Sequence, residues 1–369
     1  MKPYPRTWME VDLAALRHNV AVIRQTIGAD HKLGLVAKAD AYGHGLVPVG
    51  RFAIQNGVDW LCVATVQEGI ALRDAGIEAP LLVLSPILPI EAEQAVFYRL
   101  RVQVEDMLVV DALSEAALRQ DTKAHVHLKV DTGISRFGAT PVEASDLAIA
   151  ISRTEGIDLE GISTHFADSA NDPERTAGQM RKFQAVLDVC RSQGIHFRVI
   201  HEANSAGTIR FPAARQQLVR VGIAAYGINP YGLEVAQPLV PVMTWKARIM
   251  GIRTRPAGTW VSYGSTRQLD RNTRIATLGV GYGDGYPRGL SNTGAVLVGG
   301  ARCAVLGLVC MDQILVDVTD VAAEVGDDAE LLGKSILVPE LAAQLETNSH
   351  EVITRIMSRV PRRYIHPAG

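Results

Sequence analysis

The sequence predicts an α/β fold in two domains, an N-terminal (β/α)8 TIM-like barrel over residues 1–235 and a mainly β C-terminal domain over residues 236–369. In the first domain, short β-branched runs alternate with longer segments of helical period, a pattern typical of parallel strands joined by crossover helices. In the second, short strand-like runs are separated by Gly, Asn, Asp and Pro turns, which is typical of a β domain.

The barrel prediction depends on the number of strands. Eight strands that alternate with helices suit a closed barrel better than an open doubly wound sheet, and no GxGxxG motif follows the first of them. These strands are predicted over residues 33–38, 60–65, 80–85, 101–104, 125–130, 161–166, 197–202 and 218–223.

The clearest helix of the barrel is predicted between Asp172 and Gly194. Asp172 suits the N-cap, Pro173 the first helical position, and Gly194 the position just past the end. Its apolar residues recur at helical spacing: Phe183, Val186, Leu187 and Cys190. In the second domain, strands are predicted over 243–250, 274–280, 295–300 and 314–319, and a helical segment over 339–345.

Composition limits the partners of the chain. A net charge of −2 without long basic runs gives no electrostatic footprint for nucleic acid or an anionic membrane. The four cysteines form no CxxC pair and no metal-ligand spacing, so we expect neither a disulfide framework nor a metal site. The N-terminus lacks the apolar core of a signal peptide, and no long uncharged apolar run occurs. We therefore expect a cytoplasmic protein that acts on a small molecule.

Polar residues follow or close several of the predicted barrel strands. The active site of such a barrel forms at the carboxyl ends of its strands, so we expect these side chains to converge. They are Lys38 after strand one, Lys129 and Arg136 at strand five, His165 at strand six, Asn204 and Ser205 after strand seven, and Arg220 at strand eight.

Lys38 ends an apolar strand, where the bland alternative is an ammonium group that reaches solvent. Desolvation there would lower the pKa of the amine and make it a nucleophile suited to a Schiff base. The loops after strands seven and eight, which grip phosphate in many barrels, offer the Ser205 hydroxyl and the amides of Gly222 and Ile223. A lysine beside a phosphate site indicates pyridoxal 5′-phosphate.

Arg220 is either a structural ion-pair partner or a contact of that cofactor. A guanidinium group can only donate, so beside the pyridine nitrogen it would keep that nitrogen unprotonated. The ring would then be a weaker electron sink, which disfavours side reactions such as transamination.

Eight motifs occur in order through both domains: AKADAYGHG, LKVDTGISRFG, STHFADSA, HEANSAGT, RVGIAAYG, VSYGST, GYGDGYPRGL and VCMDQ. In this set and order, the chain resembles the alanine racemases. The resemblance implies a pyridoxal phosphate enzyme that interconverts L-alanine and D-alanine and supplies D-alanine for peptidoglycan. It also implies a head-to-tail homodimer in which the β domain of the partner completes each site.

The resemblance assigns roles to particular residues. Lys38 would hold the cofactor and act as the base for the D-enantiomer, and Tyr263 of the partner subunit would be the base for the L-enantiomer. Two bases are reasonable because one rigid residue reaches one face of the α-carbon. Cofactor contacts would come from Tyr42, Ser205, Gly222 and Ile223 around the phosphate, His165 near the ring, Arg220 at its nitrogen, and Arg136 at its phenolic oxygen. Asn204 would also bind the cofactor.

Tyr263 is an awkward base, since bringing its pKa from about 10 to near 7 requires roughly 4 kcal/mol of phenolate stabilisation. His165 and Arg220 are the cations expected to supply it. Without its motif, Tyr263 would be interpreted as an ordinary turn residue.

Further roles follow from the same resemblance. Lys129 would be carbamylated and would supply an anion to Arg136. Met311 and Asp312 would face the substrate, although Asp312 could also be a plain turn residue. Tyr282, Arg288 and position 358 would line the access channel.

Two positions depart from the family pattern. Leu308 stands where many alanine racemases have Arg, and Ser358 stands where many have Tyr. The smaller residue at position 358 of the access channel and the loss of a cation at position 308 predict turnover of serine or larger amino acids. The alternative is that Tyr364 or a shifted loop fills the gap.

Two other functions compete with racemisation. A barrel-type pyridoxal phosphate decarboxylase would benefit from a carboxylate at the pyridine nitrogen, where this chain offers Arg220. A non-catalytic pyridoxal phosphate carrier resembles the barrel alone, whereas this chain retains a β domain with Tyr263 and Met311.

Overall fold

The structure is a computed structural model that describes residues 5–366. The chain forms two structural units. The first, called the barrel unit here, consists of Arg17–Ala41 and Gly45–Leu239. The second, called the β unit, consists of the described residues up to Leu16, of Tyr42–His44, and of the described residues from Val240 onward.

The strands in chain order are β1 (Thr7–Asp12), β2 (Lys32–Val36), β3 (Trp60–Val63), β4 (Leu81–Val83), β5 (Arg101–Val104), β6 (Ala124–Lys129), β7 (Ile157–Ser163), β8 (Val199–His201), β9 (Leu218–Val221), β10 (Met243–Arg255), β11 (Trp260–Val261), β12 (Arg267–Gln268), β13 (Thr273–Leu278), β14 (Ala295–Val298), β15 (Ala301–Ala304), β16 (Ile314–Asp317), β17 (Asp328–Leu332) and β18 (Arg362–Ile365).

The helices are α1 (Leu13–Ile27), α2 (Lys38–Tyr42), α3 (Leu46–Gln55), α4 (Val66–Asp74), α5 (Ala92–Phe97), α6 (Met107–Arg119), α7 (Ala144–Arg153), α8 (Pro173–Ser192), α9 (Ser205–Arg210), α10 (Val338–Gln344) and α11 (Ser349–Thr354). Across the described part of the chain, no helix combines the length and hydrophobicity that a bilayer span requires.

The barrel unit is built on one parallel sheet of eight strands, in the order β8-β7-β6-β5-β4-β3-β2-β9. Each of the eight predicted strands overlaps one of them. At the open edge, the Arg220 amide donates to the Ala203 carbonyl at 3.0 Å, which links the end of β8 to β9. The sheet therefore forms a nearly closed barrel, and the predicted fold class is confirmed.

Helix α8 forms where the sequence predicts it. The Asp172 side chain accepts a hydrogen bond from the Arg175 amide at 2.9 Å, and Pro173 is the first helical residue. The predicted apolar stripe is buried against the barrel: Phe183, Val186, Leu187 and Cys190. An N-cap acceptor and a buried stripe are the two features that fix a helix at this place in the chain.

The β unit departs from the predicted domain boundary at its N-terminal end. Strand β1 lies in the sheet of the β unit, antiparallel to β10 and parallel to β18. Residues 7–12 therefore belong with the second domain rather than with a continuous barrel domain. The reason is that β1 has partners on both edges and buries Trp8, Met9 and Val11. The rest of this sheet places β17 between β10 and β14, with β15 at one end.

The turn α2, directly after β2, is left-handed. Ala39, Asp40, Ala41 and Tyr42 all have φ between 52° and 55°. Each non-glycine residue in this region costs about 1–2 kcal/mol, so other contacts must hold the turn. Within the barrel unit, Glu68 accepts from the Ala39 amide at 2.6 Å and Asp40 accepts from the Leu46 amide at 2.7 Å. The chain is thereby anchored immediately beyond Lys38.

Candidate active site

The polar residues of the barrel unit converge at the carboxyl ends of its strands, as predicted. Lys38 follows β2, Lys129 closes β6, and His165 comes two residues after β7. Ser205 begins α9 after β8, and Arg220 lies in β9. Because all eight strands are parallel, these ends lie on one side of the barrel.

Lys38 is half-buried at this end. Burial lowers the pKa of its amine below the usual value of 10.5, and the positive charge of Arg136 lowers it further, while Glu68 acts in the opposite direction. The neutral amine is therefore more populated at Lys38 than at an exposed lysine.

Arg220 is fully buried and its guanidinium is held on several sides. Nη1 donates to His201 Nδ1 at 2.7 Å, while Nη2 donates to the Thr164 carbonyl at 2.9 Å and approaches His165 Nδ1 at 3.1 Å. Burial lowers the pKa of Arg220 to about 10, which leaves the group charged at neutral pH. Among the described residues, no carboxylate lies within ion-pair distance of Arg220, so the alternative of a structural ion pair is not realised.

The surroundings of His165 disfavour a charge on its imidazole. Burial first, and then the charge of Arg220, holds the pKa of this imidazole well below 6.5. Because Arg220 donates toward its Nδ1, the ring meets a cation rather than an anion. Of the two cations expected to stabilise a phenolate, only Arg220 carries a charge.

Lys129 is an amine enclosed among cations. Its side chain is buried, and its Nζ has no hydrogen-bond partner in the part of the chain that the structure describes. Burial, followed by the charges of Arg220 and Arg136, lowers the pKa of Lys129 well below 10.5. The Nζ atom lies 5.6 Å from the centre of the Phe137 ring.

The loop that carries Arg136 is organised by Asp131. One oxygen of Asp131 accepts from the amides of Gly133, Ile134 and Ser135 at 2.9, 3.1 and 3.0 Å. Burial alone would raise the pKa of this carboxyl group, but the three amide donors outweigh it and lower the pKa. Asp131, in the DTG segment of the LKVDTGISRFG motif, therefore anchors the loop, a role that the sequence did not indicate.

The predicted phosphate residues of the barrel unit lie on two adjoining loops. Ser205 Oγ accepts from the Gly222 amide at 3.0 Å, which joins the loop after β8 to the end of β9. Asn204 caps α9, since its Oδ1 accepts from the Gly207 amide at 2.9 Å and from Ser169 Oγ at 2.7 Å. Ile223 follows as a buried residue. Asn204 thus orders the loop after β8, and Ser205 and Gly222 lie where this loop meets the end of β9.

In the β unit, Tyr263 projects from a strained turn between β11 and β12. Its side chain is 74% exposed. The flanking residues Ser262 and Gly264 have φ of 67° and 68°, and Ser262 Oγ donates to the Leu308 carbonyl at 2.8 Å. The turn is therefore fixed to the 308–311 loop, while the phenol is left uncovered by its own unit.

Met311 and Asp312 lie on the loop that this turn contacts. Met311 is 54% exposed, and its carbonyl accepts from the Gly283 amide at 2.8 Å. Asp312 accepts from Arg6 at 3.1 Å and from Arg359 at 2.8 Å. These hydrogen bonds, that of Arg359 first, lower the pKa of Asp312.

Sequence reasoning missed the two arginines and the second acid of this network. Arg359 also donates to the buried Asp284 at 2.7 Å. A usable signal was the GYG spacing at Gly281 and Gly283. A Cβ at Gly281 would lie 2.3 Å from the Met311 carbonyl oxygen, which marks a close approach of two chain segments.

The remaining predicted residues of the β unit do not form one cluster of direct contacts. Tyr42 is buried with its ring 5.6 Å from that of His350. Tyr282, Arg288 and Ser358 are exposed, and Leu308 is half-buried. The Tyr364 hydroxyl donates to the His44 carbonyl at 3.2 Å.

Both halves of the chain match known families. The model of the alanine racemase N-terminal domain matches residues 11–230, and that of the alanine racemase C-terminal domain matches residues 242–364. The alanine racemase of Symbiobacterium thermophilum is 42% identical over 366 residues, with 97% of each chain covered. That of Halothermothrix orenii is 39% identical over 370 residues, with 98% of each chain covered.

Solved structures agree with these matches. Alanine racemase from Clostridium difficile 630 superposes with a TM-score of 0.96 at 34% identity, covering 99% of this chain and 97% of that one. Alanine racemase from Bacillus anthracis with bound L-Ala-P superposes with a TM-score of 0.93 at 32% identity, covering 100% of this chain and 97% of that one. The predicted resemblance is confirmed over both domains. The chain belongs to the alanine racemase family, a family of isomerases.

Proposed function

We propose that the chain is a cytoplasmic, pyridoxal phosphate-dependent racemase that interconverts L-alanine and D-alanine and supplies D-alanine for peptidoglycan. It would use two bases, Lys38 and Tyr263 of the partner subunit, in a head-to-tail homodimer. The observation that carries the proposal is the desolvated amine of Lys38 on the same barrel end as the buried, donor-only Arg220.

The residues present fit pyridoxal phosphate. The Ser205 hydroxyl and the backbone amides of Gly222 and Ile223 would hold the phosphate, with Tyr42 as a further contact. Arg220 would donate to the pyridine nitrogen, and Arg136 to the phenolic oxygen. When bound, the cofactor withdraws electron density from the substrate α-carbon and so makes its proton removable.

Arg220 sets how strongly the ring withdraws that density. It offers N–H groups and no acceptor, so it cannot share a proton that resides on the ring nitrogen. Its four contacts in the barrel, made to imidazoles and carbonyls, hold the guanidinium in place without neutralising it. This arrangement favours simple proton exchange at the α-carbon over transamination.

Lys38 acts on one face of the substrate. A base must be unprotonated, and burial beside Arg136 favours that form of the amine. Glu68 holds the left-handed turn that follows Lys38, so the backbone that carries the amine is fixed in position.

Tyr263 of the partner subunit acts on the other face. The exposure of Tyr263 and of Met311 on two joined loops supports this proposal, because large apolar side chains uncovered by their own unit are typical of a surface that a second chain covers. With His165 neutral, Arg220 is the cation of the barrel that would stabilise the phenolate.

Lys129 would be carbamylated. Carbon dioxide reacts with an unprotonated amine, and burial beside the charges of Arg220 and Arg136 favours that form of Lys129. The product is an anion, which would pair with Arg136 and offset the positive charges of Arg220 and Arg136. A carbamate carbon signal from protein incubated with 13C-labelled CO2, absent from Lys129→Ala, is the expected result.

The access channel would admit amino acids larger than alanine, serine being the first candidate. Ser358 and Leu308 lack the bulk and charge found in many relatives, and the Tyr364 hydroxyl is engaged with His44. We expect measurable kcat/KM for serine and a narrower range in Ser358→Tyr. A preference for alanine above about 10⁴-fold over serine, lysine and arginine would exceed what a slightly wider pocket predicts.

The deciding experiment follows the α-proton. Protein supplied with pyridoxal phosphate and L-alanine in D2O should form D-alanine and incorporate deuterium at the α-carbon, and Lys38→Ala should do neither. Release of CO2 without deuterium incorporation would identify a decarboxylase instead, and cofactor binding without either reaction would identify a carrier.

A further inference from the structure

A row of buried polar side chains crosses the barrel interior, and the proposed mechanism uses only its first member. Arg220 Nη1 lies 2.7 Å from His201 Nδ1, and His201 Nε2 lies 2.7 Å from His127 Nδ1. His127 Nε2 lies 3.2 Å from Glu160 Oε2, to which Arg101 Nε also donates at 2.8 Å. These five side chains are called the relay here. They join the catalytic end of β9 to the first residue of β5.

Arg220 and Glu160, which flank the two imidazoles of the relay, determine where the imidazole protons lie. A guanidinium group has donors and no acceptor, so His201 must accept from Arg220 through a bare Nδ1. Neutral His201 then carries its proton on Nε2 and donates it to Nδ1 of His127. His127 carries its own proton on Nε2 and donates it to the carboxylate of Glu160. The three hydrogen bonds between Arg220 and Glu160 therefore all point toward Glu160.

The backbone is shaped to place these groups. The register between β6 and β7 shifts from Val126 opposite Leu159 to His127 opposite Gly161, so Glu160 is the extra residue of a β-bulge. Bulges re-aim a side chain, and here the bulge carries the acid of the relay. A Cβ at Gly161 would lie 2.7 Å from His127 Nδ1, so the ring occupies the space that a side chain would need.

The acid end of the relay is held as an anion. Burial alone would raise the pKa of Glu160, but the hydrogen bond from His127 and the charge of Arg101 outweigh it and lower the pKa to about 2. The Arg101 guanidinium lies 4.9 Å from the centre of the Trp60 ring, and that ring meets His127 edge-on at 5.9 Å. Glu160 is thus a fixed acceptor enclosed by the barrel.

We propose that Glu160 is a positioning residue for Arg220. By accepting from His127 it keeps a single tautomer along the relay, so that His201 presents a bare nitrogen to Arg220 and holds the guanidinium in one orientation. This inference rests on the proposed function, in which Arg220 donates to the pyridine nitrogen. Glu160 acts only through the two imidazoles.

Removing the acid would let a second proton arrangement compete. Without Glu160, the Nε2–H of His127 is buried with no acceptor, a costly state for a donor. Moving that proton to Nδ1 relieves the donor but also places a proton on Nδ1 of His201. That proton faces the N–H of Arg220 and turns the guanidinium away from its site.

The test compares Glu160→Leu with the matched control Glu160→Gln, which keeps an acceptor oxygen. Ring 15N spectra of histidine-labelled protein, recorded with and without pyridoxal phosphate, report which nitrogen of His127 and His201 carries the proton. We expect a bare Nδ1 on both rings in the wild type and in Glu160→Gln, and loss of that pattern in Glu160→Leu. Signals are assigned from single histidine substitutions.

A second readout follows the consequence for the cofactor. The amount of pyruvate formed per alanine racemised should rise several-fold in Glu160→Leu and stay unchanged in Glu160→Gln, because a displaced Arg220 no longer suppresses transamination. A bare Nδ1 on His201 that persists in Glu160→Leu with an unchanged pyruvate ratio overturns the proposal, since Arg220 alone would then order the relay.

A second variant and a readout that needs no turnover keep the test of the relay decisive. If Glu160→Leu does not fold, His127→Leu breaks the same relay one link closer to Arg220, and an unchanged His201 pattern there overturns the proposal equally. The nitrogen signals require no turnover. Failure to racemise alanine would therefore refute the proposed function, while the proton positions would still test the relay.

Discussion

The two proposed bases lie in opposite surroundings. Lys38 belongs to a barrel end where Arg220 is buried and held against imidazoles and carbonyls, and where burial lowers the pKa of Lys38, Lys129 and Arg220. Tyr263 belongs to a face of the β unit where it is 74% exposed. The surroundings of Lys38 are thus formed within one chain, whereas Tyr263 is left exposed by its own unit. The two bases can be perturbed separately.

The largest effect is expected at Lys38. Lys38→Ala removes both the covalent anchor and one base, so racemase activity should fall by on the order of 10⁴-fold or more. Lys32→Ala is the matched control, because this lysine begins β2, the strand that precedes Lys38, but is exposed, with its Nζ 3.7 Å from Asp59 Oδ1. Activity is measured in both directions, and equal losses in the two variants would contradict the role of Lys38.

Tyr263→Phe should lower activity by about 10²- to 10⁴-fold and leave the free energy of unfolding within about 0.5 kcal/mol of wild type. The reason is that the ring is retained and the hydroxyl is not packed within its own unit. Mixing this variant with Lys38→Ala should restore activity in mixed dimers, since one of the two sites then receives both bases. Absence of any recovery, with mixed dimers verified by mass spectrometry, argues against a shared site.

Lys129 should make stability depend on pH. Its pKa is lower in the folded than in the unfolded state, so the unfolded chain binds more protons between the folded pKa and 10.5. The free energy of unfolding contributed by this residue should therefore rise as pH increases through that window. Urea unfolding in CO2-free buffer checks this, with Lys129→Met as the control whose profile is flatter. A steeper profile in Lys129→Met would reverse the sign and refute the burial argument.

The smallest effects are expected in the acid–arginine network of the β unit. Asp312 is partly exposed, so Asp312→Asn should change the free energy of unfolding little. Asp284 binds the same Arg359 but is buried and also accepts from the Gly281 amide at 2.9 Å, so Asp284→Asn should cost about 1–3 kcal/mol. Chemical unfolding of the two variants measures the difference, and equal costs would show that burial does not govern this network.

Several features of the molecule could be predicted from the sequence because they depend on local pattern. Strand and helix periodicity located the eight barrel strands and helix α8. Strand β1 was assigned to the wrong domain because its pairing with β10 and β18 joins residues more than 200 positions apart. The left-handed turn after Lys38 was not predicted, because the residues AKADAY do not by themselves distinguish it from an ordinary turn. The hydrogen bond that anchors it comes from Glu68, which is distant in the sequence.

The sequence by itself determined which chemical groups the site could contain: an amine at the end of β2, a guanidinium that can only donate in β9, and a tyrosine in the second domain. The tertiary structure alone decided their states. Burial lowered the pKa of Lys129 and of His165, and the bulge at Glu160 directed a carboxylate toward His127. The physical reason is that a pKa or a tautomer depends on desolvation and on neighbours from other strands, and neither can be known until the strands are placed side by side.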